Sequence, residues 1–179
     1  MSYPKINKLD GILISTISTG IKKGNKKDLV IINIDKNANT VGAFTNSETK
    51  SEAVKWSKYN IKNNIKAIVV NSGNANALTG KEGYNSIKMY TTFLSKKINC
   101  KTSNILVAST GIIGEQLDYK KINKAIPKLL KKSKIKCCSW KSFSESIMTT
   151  DTFPKAATKR LKIGNKVVTI SGVAKGSGM

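Results

Sequence analysis

A chain of 179 residues suits one domain, 1–179, and can bury roughly two thirds of its unfolded surface without disulfides or a metal. Its content of 39% hydrophobic, 23% charged and 6% aromatic residues is globular, neither collagen-like nor disordered. The chain has no histidine, which excludes Ser-His-Asp and Cys-His nucleophiles, histidine-ligated metal and a histidine base; its 32 basic and 10 acidic side chains give a net charge of +22.

In chain order, residues 12–21 begin with an apolar run and end near Gly20, and residues 28–34 and 40–44 are β-rich. With the turns between them, they predict a three-stranded antiparallel start. Ser51 caps a short helix with a weak stripe of Val54, Trp56 and Ile61. Ala67 to Val70 form a fully apolar strand that empties into NSGNANALTG, residues 71–80, too rich in Asn and Gly to continue either element. A helix over about 81–98 places Ile87, Tyr90, Phe93, Leu94 and Ile98 on one stripe, with Lys96 and Lys97 suited to its C-terminal dipole. Residues 105–108 make another short buried strand, broken at Ser109-Thr110-Gly111. Two helices follow: one over 119–132, with Ile122, Ile126, Leu129 and Leu130 opposite lysines, and a serine-rich one over 139–149, ended by Thr152 to Pro154. Residues 158–175 carry apolar residues on both sides of Gly164-Asn165 and predict a β-hairpin before GSGM. No repeat or linker divides the chain. The fold class is α/β, a layered sandwich of sheet and helices.

The charge admits two readings. A +22 field attracts nucleic acid or anionic lipid. Yet Arg160 is the single arginine, and the lysines accompany much Ile and Asn, all residues that A/T-rich codons encode, whereas nucleic-acid sites lean on clustered arginines and interleaved aromatics. Cys100, Cys137 and Cys138 are odd in number, and the adjacent pair has neither metal-ligand nor Cys-x-x-Cys spacing. They read as buried or incidental thiols in a reducing compartment, with no metal site. The N-terminus MSYPKINKLD has charges and a proline where a signal peptide needs an apolar stretch, so a soluble cytoplasmic protein is expected.

Four polar segments follow apolar elements: NSGNANALTG at 71–80, STGIIG at 109–114, MTTDTFPK at 148–155 and AKGSGM at 174–179. Strand ends that open into such loops present backbone N–H groups without bulky side chains, the material of an oxyanion hole or an anion nest. Each segment alone reads as a turn. Together with GAFTN at 42–46, in this order and over most of the chain, they resemble the α chain of the ornithine acetyltransferase family, also called glutamate N-acetyltransferase.

The resemblance implies a precursor cut at an Ala-Thr bond into α and β chains, assembled as an α2β2 heterotetramer. The new N-terminal threonine of the β chain takes acetyl from N-acetylornithine and passes it to glutamate, with its own α-amine as base. Matching motif by motif, Thr110 and Gly111 are similar to the family's oxyanion-hole pair, and Thr149 and Lys175 to its substrate contacts. No cofactor is implied, and acetyl-CoA stays open as a second acetyl donor. Leu78 stands where the family often has cysteine, a change expected to affect packing more than chemistry. The sequence ends at Met179, ahead of the family's cleavage site and nucleophile, so this chain is not expected to be the complete catalyst. It should need a β-chain partner, leave apolar edges exposed and be marginally stable alone. An inactive gene remnant and a basic nucleic-acid-binding domain are the competing readings.

Overall fold

A computed structural model describes residues 3–6, 9–36, 38–135 and 139–176 of the chain. Its centre is a four-stranded sheet in the order β1 (Ile12–Ile17), β2 (Leu29–Ile34), β3 (Ala67–Asn74), β4 (Ile105–Ile112). β1, β2 and β3 are antiparallel, and β3 and β4 are parallel, the step between them being made through helix α2 (Gly80–Ile98). Parallel neighbours need such a crossover because the chain must return to the same end of the sheet.

Side chains alternate along a strand, so each strand serves two cores. One face carries Leu29, Ile31, Val69, Ile105 and Val107, packed with α1 (Glu52–Asn60), α2 and α3 (Tyr119–Ile135) through Trp56, Tyr90, Leu94, Ile122 and Leu129. The other carries Ile14, Val30 and Ile32 against Ile147 of α4 (Trp140–Ile147). Being covered on both faces, β2 is buried at every residue, which is why LVIINI is apolar at every position but Asn33. The mixed α/β fold agrees with the class predicted from sequence.

Helix α1 starts as expected, with Ser51 Oγ accepting from the Val54 amide at 3.3 Å. It also closes the outer edge of β4. Trp56 Nε1 donates to the Ile105 carbonyl at 2.8 Å, and Ser57 Oγ both donates to the Val107 carbonyl at 2.6 Å and accepts from the Val107 amide at 2.9 Å. Two side chains thus satisfy backbone groups that a further strand would otherwise take.

Several expectations are corrected. Residues 40–44 form no strand, and Val41 is 91% exposed; the third antiparallel strand is β3. β3 and β4 continue four residues past their apolar stretches, because Asn71, Ser72 and Gly73 pair in register with Ser109, Thr110 and Gly111. Nor is β3 buried throughout, since Ile68 and Val70 are only partly covered. Helix α4 stops at Ile147, ahead of Thr152, with Met148 already extended. The hairpin β5 (Lys155–Ile163) and β6 (Lys166–Ala174) is present, turning at Gly164, but it forms a separate two-stranded sheet on which Ile163, Val167 and Ile170 are exposed.

Candidate functional site

The carboxyl ends of β3 and β4 meet backbone to backbone. At Gly111, φ is +135°, and a Cβ there would lie 2.3 Å from the carbonyl carbon of Gly73, itself at φ +102°. Only glycine fits so close an approach between two strands. Above this contact opens a cavity of about 700 Å³, on whose wall Lys22, Gly73, Asn74, Gly111, Glu115 and Thr149 come together.

Of the asparagines of the 71–80 segment, Asn74 lines the cavity and Asn71 and Asn76 brace the backbone around it. Asn71 Nδ2 donates to the Asn74 carbonyl at 2.8 Å, and Asn71 Oδ1 accepts from Ser109 Oγ at 2.6 Å. Asn74 Oδ1 accepts from the Asn76 amide at 2.8 Å while its Nδ2 donates to the Glu115 carbonyl at 3.0 Å. Asn76 Nδ2 donates to the Gly83 carbonyl at 3.0 Å, and Asn76 Oδ1 accepts from Thr79 Oγ1 at 2.8 Å. Their amides therefore hold β3, β4 and the start of α2 in one arrangement. Buried polar groups so paired rigidify a site.

The lining also includes Thr149. Its amide donates to Asp151 Oδ2 at 3.1 Å, and its Oγ1 is buried with no hydrogen-bond partner. A buried hydroxyl on a cavity wall without a partner is suited to a ligand oxygen. The Asp151 side chain, 2% exposed, also accepts from Lys155 Nζ at 3.1 Å and from the Gly176 amide at 2.7 Å, and stands 3.8 Å from Lys175 Nζ. Burial alone would raise its pKa. The Thr149 and Gly176 amides and the Lys155 and Lys175 ammonium groups outweigh that and bring it down to about 2.

Of the residues predicted from sequence, Gly111 and Thr149 share the cavity wall. Thr110 precedes Gly111 in β4, opposite Ser72, and is set back from the lining. Lys175 is also off the lining, but the Asp151 oxygen that holds the Thr149 amide faces it. Sequence reasoning missed Asp151 and Lys22. Asp151 lies inside the MTTDT motif, so one of the chain's few carboxylates was in view; Lys22, in a lysine-rich turn, carried no signal. Leu78 is 70% exposed at φ +56°, so the departure there alters the surface and not the packed core. Burial pushes the Cys100 thiol up, while Cys137, Cys138 and residues 177–179 of GSGM lie outside the described residues. Among the described residues no His, Cys, Asp or Glu cluster could hold a metal, and no helix is long and apolar enough to cross a membrane.

A family model described as the ArgJ family matches residues 13–179. The arginine biosynthesis bifunctional protein ArgJ of Nitrobacter winogradskyi is 40% identical over 181 residues, covering 98% of this chain and 43% of that protein. The same-named protein of Bradyrhizobium diazoefficiens is 39% identical over 179 residues, covering 99% and 43%. This chain thus spans less than half the length of these curated relatives. Among solved structures, arginine biosynthesis bifunctional protein ArgJ of Bacillus halodurans aligns with a TM-score of 0.82 at 30% identity, over 95% of this chain and 88% of that one. Ornithine acetyltransferase of Mycobacterium tuberculosis, solved complexed with ornithine, aligns with a TM-score of 0.83 at 24% identity, over 95% and 90%, a likeness of fold. Since the match runs from Leu13 through Met179 and so spans the strands and loops that form the cavity, this chain belongs to the ArgJ family.

Proposed function

We propose that this chain is one half of an acetyltransferase of arginine biosynthesis, which moves acetyl from N-acetylornithine to glutamate with a β chain whose N-terminal threonine is the nucleophile. The observation that carries this reading is the cavity whose lining brings together Gly111 and Thr149, the latter with an unpartnered hydroxyl. Two such chains with two β chains make the expected α2β2 assembly. No cofactor is required, and acetyl-CoA is a second donor to test.

In this reading the threonine Oγ attacks the acetyl carbonyl, and the α-amine takes the hydroxyl proton. The carbonyl oxygen becomes an oxyanion, which Thr110 and Gly111 stabilise. On collapse the C–N bond breaks, the proton goes to the ornithine nitrogen, and acetyl remains as a threonine ester. The glutamate amine then attacks that ester, restoring the threonine and forming N-acetylglutamate. Thr149, through its hydroxyl, and Lys175, through its ammonium, bind the amino-acid carboxylate, as a donor hydroxyl and a cation suit.

The test is co-expression of the full chain with a threonine-initiated β chain taken from a relative, followed by assay of ornithine release. Transfer is expected. Thr110→Ala should lower its rate by roughly a hundredfold or more without loss of folding, as removal of an oxyanion donor does. An assembled complex with no transfer overturns the reading, and a Thr110→Ala rate within a few-fold of wild type reduces Thr110 to a turn residue.

A further inference from the structure

The segment that delivers Thr149 to the cavity is held from a distance. α4 ends at Ile147, and Met148 leaves it in extended backbone at φ −63° and ψ 145°. The last carbonyls of a helix lack intrahelical donors and must find others. Here Lys22 Nζ donates to the Ser146 carbonyl at 3.0 Å and to the Met148 carbonyl at 2.9 Å, and Ser72 Oγ donates to the Ser146 carbonyl as well. A cation at a helix C-terminus is also favoured by the helix dipole.

Lys22 comes from the β1–β2 connection, and a buried carboxylate fixes how it arrives. Asp28 is fully buried. Its Oδ1 accepts from the Thr19 amide at 2.7 Å and Thr19 Oγ1 at 2.9 Å, and its Oδ2 from the Ile21 amide at 2.8 Å and the Lys22 amide at 3.0 Å. The Asp28 carbonyl accepts from the Ser72 amide at 2.8 Å, which ties the connection to β3. A continuous path therefore runs from the Asp28 carboxylate through the loop and the Lys22 ammonium to the end of α4. The next residue after Met148 is Thr149, whose buried hydroxyl is unpartnered. Lys22 also lines the cavity beside Gly73, Gly111 and Thr149. Burial lowers its pKa, while the charges of Asp28 and Asp151 act to raise it.

We propose that Lys22 is a positioning residue, which caps the terminal carbonyls of α4 and thereby holds the Thr149 hydroxyl at the cavity wall for the amino-acid substrate. The clamp stands on geometry alone; its consequence for catalysis rests on the acetyl-transfer reading given above.

Two measurements on the full chain separate these. Amide hydrogen exchange of the free chain comes first. Lys22→Met should speed exchange of the Thr149 amide by about tenfold or more and leave β2 unchanged, Lys22→Arg should restore most protection, and Lys26→Met, at an exposed neighbouring lysine, should do nothing. If Lys22→Met does not fold, Lys22→Gln is read in the same way. Unchanged Thr149 exchange in the folded variant overturns the proposal. In the assembled complex, Lys22→Met should raise the KM for the amino-acid substrate about tenfold with kcat within about threefold of wild type, and Lys22→Arg should recover it. An unchanged KM, or an equal fall in kcat for Lys22→Met and Lys22→Arg, overturns the catalytic part. An inactive wild-type complex in which Lys22→Met still loosens Thr149 overturns the acetyl-transfer reading and supports the clamp.

Discussion

Asp151 connects three parts of the candidate site, since Thr149, the start of β5 and residues 175–176 after β6 all bond to its carboxylate. Its pKa is lowered from the ordinary 3.8 to about 2, so the stability it contributes is whole above pH 3.8 and is lost as pH falls through about 2. Asp151→Asn should therefore lower the thermal midpoint at neutral pH and flatten its decline across that acid range. Melting followed by circular dichroism against pH checks this, and parallel curves for the two proteins speak against it. Gly111 makes a different demand. Its Cβ would meet the backbone of Gly73, which no rotamer change relieves, at a φ that L-residues avoid. Gly111→Ala should cost about 3 kcal/mol, read as a shift in the urea midpoint.

The elements differ in how they are supported. A two-stranded hairpin is marginal by itself, and β5 and β6 expose Ile163, Val167 and Ile170, whereas β2 is buried along its length. Amides of β5 and β6 should exchange at least about a hundredfold faster than those of β2, measured on peptides spanning 155–174 and 29–34; equal protection would show that the hairpin shares the stability of the sheet. The same contrast explains what the sequence disclosed. β2, the apolar stripe of α2 and the hairpin turn at Gly164-Asn165 were legible because their signals are local. The pairing of β2 with β1 was legible too, but its second partner was not: TVGAF looks like a strand, but pairing is a long-range choice, and β2 pairs with β3 on that side instead. The ends of β3 and β4 also misled, because Asn, Ser and Gly usually mark turns and here form a paired ladder across Gly73 and Gly111. In the site, Gly111 and Thr149 lie in distinctive motifs. Lys22 acquires its role only from carbonyls more than a hundred residues away, which no local pattern records.

At the scale of the whole molecule, 32 basic side chains are set against 10 acidic ones, a net charge of +22 that leaves most cations without a carboxylate to pair with. Such self-repulsion weakens the compact state and is screened by salt. The thermal midpoint should therefore rise between about 0.02 M and about 0.5 M sodium chloride, by several degrees in scanning calorimetry; a fall would mean that ion pairs such as Lys155–Asp151 outweigh the repulsion. Salt has a second effect, on encounters between copies. Like charge keeps molecules apart in dilute buffer, and that barrier thins as ions are added. At the border of β4, growth of the sheet onto a second copy is then opposed by the Trp56 indole and the Ser57 hydroxyl, already bonded to Ile105 and Val107. A serine and a tryptophan on one short helix thus keep the β4 border closed whether or not charge is screened.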